Sequence, residues 1–242
     1  MKKLPLRCII IIVMMKEIIK NNLNAVYEEV KNGNNLGEKI TVIGATKYVE
    51  SEQIKVARDL GLTEVGDNKV QEFRDKTSKI DGLNYHFIGR LQKNKVKYLI
   101  GKVKLIQSVD SLDLAEEISK QSVKLGVVTD ILMEINSAGE ESKGGVSPEN
   151  ALALAKEIAK LDGVHLKGIM AMLPFSDDNE LLQKLCLQMR ELYDTIKKDG
   201  FDFEYLSMGM SGDYKIAIKN GSNMIRLGTV IFGERDYTKK VY

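Results

Sequence analysis

Eight short runs rich in apolar and β-branched residues alternate along this chain with segments of helical pattern. This alternation constrains the fold strongly, because strands separated by helices pair in parallel through right-handed crossovers. Eight strand and helix units within 242 residues predict a single α/β domain, a closed (β/α)8 TIM barrel. An open, doubly wound sheet is the alternative. The predicted strands span residues 41–46, 63–66, 85–89, 105–109, 127–135, 165–172, 205–208 and 224–227.

The beginning of the chain has a different character. Residues 1–13 combine a basic head with a short apolar stretch, as secretory signals do, but Lys16 and Glu17 follow and no small-residue cleavage site is seen. The stretch is also shorter than the roughly 20 residues of a membrane span. From residue 15 to residue 30, apolar residues at spacings of three and four predict an amphipathic helix. We therefore expect residues 1–13 to be an extension outside the fold and residues 14–242 to form one barrel domain.

Charge and cysteine content limit the partners and the cellular compartment that are expected for this protein. The chain has 36 Lys and Arg against 34 Asp and Glu. The charges nearly cancel, so the protein has no strong positive electrostatic field that would attract a nucleic-acid backbone or an acidic bilayer. We expect neither nucleic acid nor a membrane as a partner. Cys8 and Cys186 are far apart in sequence, and so few thiols are typical of a reducing compartment. This predicts a cytoplasmic protein.

The carboxyl end of the first predicted strand carries a lysine. In α/β barrels, reactive groups gather where strands end and loops begin. Lys47 follows the apolar run 42–45 at such a position, where burial can desolvate an ammonium group and free a neutral amine to attack a carbonyl. An exposed loop lysine is the alternative interpretation.

Two small-residue clusters follow the seventh and eighth predicted strands. They contain Ser211 and Gly212, and Gly228 and Thr229. Barrels often build a phosphate site from these two loops, since small residues let backbone N–H groups approach an anion. Ser211 is also expected to cap the helix that follows, and helix capping with a tight turn is the alternative interpretation. Together with Lys47, the clusters predict a site for a phosphorylated carbonyl compound: pyridoxal phosphate, or a sugar phosphate in a Schiff-base aldolase.

Six separated motifs resemble those of the pyridoxal phosphate homeostasis protein family, in the same order. They are Ala-Thr-Lys at 45–47, Gly-Asp-Asn-Lys-Val-Gln-Glu at 66–72, His-Phe-Ile-Gly-Arg-Leu-Gln-Lys-Asn-Lys at 86–95, Ser-Ala-Gly-Glu-Glu-Ser-Lys-Gly-Gly at 137–145, Leu-Ser-Met-Gly-Met-Ser-Gly-Asp at 206–213 and Arg-Leu-Gly-Thr at 226–229. The resemblance extends from Met15 to Phe232. It implies the alanine racemase barrel standing alone, as in fold-type III pyridoxal-phosphate proteins. Asp67 and Arg90 depart from the usual Glu and His of that family.

The same resemblance implies a set of contacts to pyridoxal 5'-phosphate. Lys47 is expected to carry the cofactor as a Schiff base, and Arg226 to face the pyridine nitrogen. Asn68 and His86 are expected near the ring. The phosphate is expected to lie against Ser211, Gly212, Gly228 and Thr229.

The expected contacts favour a carrier of vitamin B6 over an enzyme. A guanidinium such as that of Arg226 can only donate, so a ring nitrogen facing it stays unprotonated and the ring is a weaker electron sink. Racemisation also needs a second base. The resemblance to racemases of this fold implies that this base would be a tyrosine from an additional domain. We expect a cofactor-binding protein of vitamin B6 homeostasis, a monomer, with apo forms of pyridoxal-phosphate enzymes as partners. A single-domain amino-acid racemase and a Schiff-base aldolase are the alternatives.

Overall fold

The computed structural model describes residues 6–139 and 144–234, with side chains from residue 13 onward. Its eight strands form one closed barrel in which every strand pairs in parallel with its neighbours in chain order, and β8 closes onto β1. This confirms the predicted (β/α)8 barrel. Part of the motif at 137–145 lies outside the described residues.

The strands lie close to the predicted positions, because parallel strands buried on both faces are nearly continuous apolar runs in sequence. Every residue of the fourth strand, for example, is buried. The strands are β1 Thr41–Ala45, β2 Glu64–Asp67, β3 Asn84–Phe87, β4 Leu105–Val109, β5 Thr129–Ile135, β6 Val164–Ala171, β7 Tyr205–Ser207 and β8 Met224–Leu227.

Helices cover the outside of the barrel. The first begins at Leu6, upstream of the predicted start at residue 15 and within the segment 1–13, and it packs Ile19, Leu23 and Val26 into the core. The helices are α1 Leu6–Val30, α2 Ser51–Asp59, α3 Val70–Thr77, α4 Leu112–Leu125, α5 Pro148–Ile158, α6 Asn179–Lys198, α7 Tyr214–Lys219 and α8 Thr229–Phe232, with a 3-10 segment at Lys93–Tyr98. In the described part of the chain, no helix has both the length and the apolar character needed to cross a bilayer.

Side chains fill the barrel in layers. An inner apolar cluster lies apart from the larger core between barrel and helices, and consists of Ile43, Leu105, Leu132, Met170 and Met224. Because strand side chains alternate between faces, Arg226 shares the inward face of β8 with Met224, one step nearer the carboxyl end. Gln107 follows Leu105 on β4 in the same way. The interior is therefore apolar in one layer and polar in the next.

Candidate functional site

Lys47 lies in a tight turn directly after β1. Its side chain is half-buried, and its Nζ lies 5.2 Å from the centroid of the Tyr48 ring. Tyr48 has a positive φ of 61°, which is uncommon for a residue other than glycine and is often found at functional sites. The turn closes through a hydrogen bond from the Val49 N–H to the Thr46 carbonyl oxygen at 3.0 Å. The amine is thus held at the mouth of the barrel.

A buried ion cluster, formed by Asp67, Glu72 and Lys76, fixes both neighbours of Lys47. The Lys76 ammonium lies 2.5 Å from Asp67 Oδ1 and donates to the Thr46 carbonyl oxygen at 2.7 Å. The Thr46 hydroxyl donates to Asp67 Oδ1 at 2.7 Å. The Tyr48 N–H donates to Glu72 Oε2 at 3.4 Å. Sequence reasoning missed this cluster, since Glu72 and Lys76 read as an ordinary solvated helix face and the pattern does not show that they meet Asp67 at the end of β2.

The loops after β7 and β8 meet at Ser211. Its hydroxyl oxygen accepts the backbone N–H groups of Gly228 at 3.2 Å and Val230 at 3.4 Å. The prediction that Ser211 caps the following helix is wrong: α7 begins at Tyr214, and Asp213 occupies the capping position. The hydroxyl instead joins the seventh and eighth loops. Because its oxygen accepts from both N–H groups, its own hydrogen is left to donate to a ligand such as an anion.

Gly209 allows the seventh loop to turn this closely. Its φ is 99°, and a Cβ there would lie 2.8 Å from the Ala217 Cβ. Gly212 has different surroundings, because a Cβ there would meet no other atom within 4 Å. Gly212 therefore borders open space, and it lines the cavity at the mouth of the barrel.

Arg226 forms the buried floor of the same region. Its Nη1 donates to Ser207 Oγ at 2.6 Å, and its Nη2 donates to the Ala171 carbonyl oxygen at 3.0 Å. Burial lowers the pKa of Arg226 to about 10, against the opposing influence of Asp213 and Glu134. The guanidinium is therefore still charged near neutral pH. Nη1 also donates to the Ser207 carbonyl oxygen at 3.0 Å, so the Nε–H and one Nη2–H are the groups of Arg226 without a partner among the described residues.

One cavity of about 400 Å³ joins these elements, a volume within the usual range of small-molecule sites. It brings together seven of the eight predicted residues: Lys47, Asn68, Ser211, Gly212, Arg226, Gly228 and Thr229. Apolar side chains that sequence reasoning did not assign to a site complete the wall, namely Ile88, Met172, Phe175 and Met210. Phe175 is fully exposed at the rim. No periodic pattern marks these loop positions, which explains why they were missed.

His86 is the predicted residue that the structure does not bring to this cavity. It is 1% exposed, inside the barrel, with Nε2 2.8 Å from Glu64 Oε2 and Nδ1 3.0 Å from Gln107 Nε2. Glu64 begins β2, so His86 points toward the amino-terminal end of the barrel. Asn68, by contrast, follows the carboxyl end of β2 and lines the mouth.

The fold and the mouth together define an alanine-racemase-type barrel. The family model described as "Alanine racemase, N-terminal domain" matches residues 20–236. An alanine racemase of Clostridium difficile aligns with a TM-score of 0.78 at 17% identity, covering 90% of this chain and 57% of that chain. At that identity the likeness concerns the fold alone.

Closer relatives narrow the family. The pyridoxal phosphate homeostasis protein of Aquifex aeolicus is 43% identical over 199 residues, which are 81% of this chain and 87% of the relative. The structure of PipY from Synechococcus elongatus with pyridoxal phosphate bound has a TM-score of 0.79 at 26% identity, covering 89% of this chain and 100% of that chain. The chain belongs to the pyridoxal phosphate homeostasis protein family.

Proposed function

We propose that this protein binds pyridoxal 5'-phosphate at the barrel mouth and takes part in the intracellular homeostasis of vitamin B6. The main support for the proposal is that the Lys47 amine, the Arg226 guanidinium and the two small-residue loops all line one cavity. The name of the Aquifex relative and the cofactor in the PipY structure support the same ligand.

The donor set fits the chemistry of this cofactor. Ser211 would hold the phosphate through its hydroxyl hydrogen, since the hydroxyl oxygen already accepts from the Gly228 and Val230 N–H groups. Gly212, Gly228 and Thr229 line the same cavity, and Gly212 would leave room for the phosphate oxygens. Arg226 would donate toward the ring nitrogen, and Lys47 would present its amine from the loop after β1, the strand that pairs with β8. When bound, the cofactor supplies an aldehyde that condenses reversibly with a primary amine and releases water. Asn68, after β2, lines the same cavity as a neutral hydrogen-bonding group.

The ionisable groups at the mouth favour a carrier over an enzyme. Among the described residues that line the cavity, Lys47 and Arg226 are the only ionisable ones. Arg226 stays protonated, so no second base accompanies Lys47 there. A racemase needs such a base, and an aldolase needs an acid or base that moves protons at the substrate. Binding without efficient turnover is the expected consequence.

Cofactor transfer tests this function directly. We expect the protein loaded with pyridoxal phosphate to activate an added apo-enzyme. The Lys47→Ala variant is expected to lose both the yellow colour of the Schiff base and the transfer of cofactor to the apo-enzyme. Lys69→Ala is the matched control, because the Lys69 ammonium lies at the same 5.2 Å from the Tyr48 ring as that of Lys47 but outside the cavity. Transfer by Lys47→Ala at the wild-type rate would refute the proposal.

The same preparation separates the enzyme alternatives. Racemisation of L-alanine at ordinary enzyme rates, on the order of 1 per second or more, would favour a racemase. Binding of a sugar phosphate without binding of pyridoxal phosphate would favour an aldolase. We further propose that the protein acts in the cytoplasm as a monomer and that apo forms of pyridoxal-phosphate enzymes receive the cofactor. Sedimentation of the purified protein tests the oligomeric state.

A further inference from the structure

A chain of polar side chains crosses the inside of the barrel, starting at the floor of the cavity. Arg226 Nη1 donates to Ser207 Oγ at 2.6 Å, and Ser207 Oγ donates to Gln107 Oε1 at 2.7 Å. Both Ser207 and Gln107 are fully buried. Because the serine hydrogen is directed at Gln107, the serine oxygen offers only lone pairs to the guanidinium.

The chain continues through the imidazole to the opposite end of the barrel. Gln107 Nε2 lies 3.0 Å from His86 Nδ1, and His86 Nε2 lies 2.8 Å from Glu64 Oε2. Glu64 also accepts from Lys104 Nζ at 2.8 Å. Hydrogen bonds from His86, Lys104 and Asn84 lower the pKa of Glu64 to about 2 against its burial, so Glu64 is an acceptor at neutral pH.

These partners fix the direction of every hydrogen bond. An ionised Glu64 requires the hydrogen of His86 to be on Nε2, which leaves Nδ1 to accept from the Gln107 amide. The amide oxygen then faces Ser207. All the donors therefore point one way, from Arg226 to Glu64, and no member opposes its neighbours.

Burying this hydrogen-bonded row of side chains costs free energy, so packing alone does not explain its presence. It passes through an interior whose other layer is the apolar cluster of Ile43, Leu105, Leu132, Met170 and Met224. Burying polar groups there needs full hydrogen bonding, and an apolar layer of the same shape would satisfy packing equally well. What the polar layer adds is a fixed orientation for the groups at its two ends.

We propose that Ser207, Gln107 and His86 are positioning residues, which fix the Arg226 guanidinium at the floor of the cofactor cavity and couple it to Glu64 at the opposite end of the barrel. This inference rests on the proposed function, in which Arg226 faces the ring nitrogen of pyridoxal phosphate. The position of the Arg226 guanidinium, and with it the affinity for the cofactor, thus depends on Glu64, a carboxylate that does not line the cavity.

Nitrogen NMR of the protein without cofactor tests the direction of the hydrogen bonds between Arg226 and Glu64. The sequence has only two histidines, so His86 and His165 give a simple spectrum in which His165 serves as the reference. We expect the Nε2–H tautomer for His86 in the wild type. In Gln107→Glu the new carboxylate cannot donate to Nδ1, so we expect a doubly protonated His86. The Nδ1–H tautomer in the wild type would overturn the proposal.

Cofactor titration of Glu64 variants tests the coupling. Glu64→Leu removes the terminal acceptor, and we expect pyridoxal phosphate to bind about 3- to 10-fold more weakly, the equivalent of one hydrogen bond. Glu64→Gln keeps an acceptor oxygen and is expected to restore affinity. Unchanged affinity in a folded Glu64→Leu protein would overturn the coupling. Failure of the wild type to bind the cofactor would refute the proposed function instead, while the tautomer measurement would still report on the chain.

Discussion

Two glycines at the barrel mouth have opposite steric surroundings. A Cβ on Gly89 would lie 2.2 Å from the Asn68 carbonyl oxygen, so Gly89 allows the third loop to pack against the second. A Cβ on Gly212 would meet nothing within 4 Å. The first glycine is therefore required by the fold, whereas the second is required only if a ligand fills the space beside it.

We expect Gly212→Ala to separate folding from binding. The free energy of unfolding should stay within about 0.5 kcal/mol of the wild type, as for surface changes without new contacts. The affinity for pyridoxal phosphate should fall about 10-fold or more, because the methyl group occupies space meant for the phosphate. Thermal denaturation and cofactor titration measure the two effects. Gly89→Ala, the comparison, should be destabilised by its clash. Wild-type affinity in Gly212→Ala would contradict the phosphate placement.

At the scale of elements, the turn after β1 depends on a helix behind it. Lys76 on α3 reaches the Thr46 carbonyl, and Glu72, one helical turn earlier, accepts from the Tyr48 N–H. Asp67 at the end of β2 completes the buried ion cluster. Burial raises the pKa of Asp67, and the nearby Lys76 ammonium opposes this effect. Two elements, α3 and β2, thus position the turn that carries Lys47.

Removing the cation should destabilise the protein and misplace Lys47. Lys76→Met leaves the buried Asp67 carboxylate without its partner, which typically costs about 3–5 kcal/mol. We expect that loss in chemical denaturation, together with weaker cofactor binding. Lys79→Met, an exposed lysine near the end of the same helix, is the control. The double variant Asp67→Leu with Lys76→Met should recover stability. Full stability of Lys76→Met alone would contradict this role.

The sequence predicts the strands well and the side-chain contacts poorly. Short runs rich in apolar and β-branched residues identify all eight strands, since a parallel barrel buries both faces of most of them. Lys47 is predicted because a polar residue at a strand end is conspicuous, and Arg226 because its motif resembles that of the family. Contacts such as Asp67 with Lys76, or Ser211 with Gly228, depend on how distant loops meet in space. Neither propensity nor periodicity reports that arrangement.

At the scale of the whole molecule, the buried His86 is expected to make the stability of the protein depend on pH. Burial lowers the pKa of His86 from its ordinary value of 6.5, although the Glu64 carboxylate opposes the shift. Below pH 6.5 the unfolded chain therefore binds a proton at residue 86 that the folded chain does not. Linkage then requires the free energy of unfolding to fall as the pH drops.

We expect this fall to begin below about pH 6.5, with a slope of up to about 1.4 kcal/mol per pH unit for one proton. Denaturant unfolding at a series of pH values measures it. The His86→Gln variant should lose the slope, and His165→Gln, at an exposed position, should keep it. A stability that is flat over this range in the wild type would contradict a neutral, buried His86.

The central claim is that one lysine at the mouth of the barrel receives the aldehyde. Borohydride reduction of the protein mixed with pyridoxal phosphate, followed by peptide mass mapping, identifies the nitrogen that was attached. We predict a single modified residue, Lys47, with no modification in Lys47→Ala and an unchanged pattern in Lys69→Ala. Modification of Lys69 in its place, or label spread evenly over surface lysines, would contradict the account.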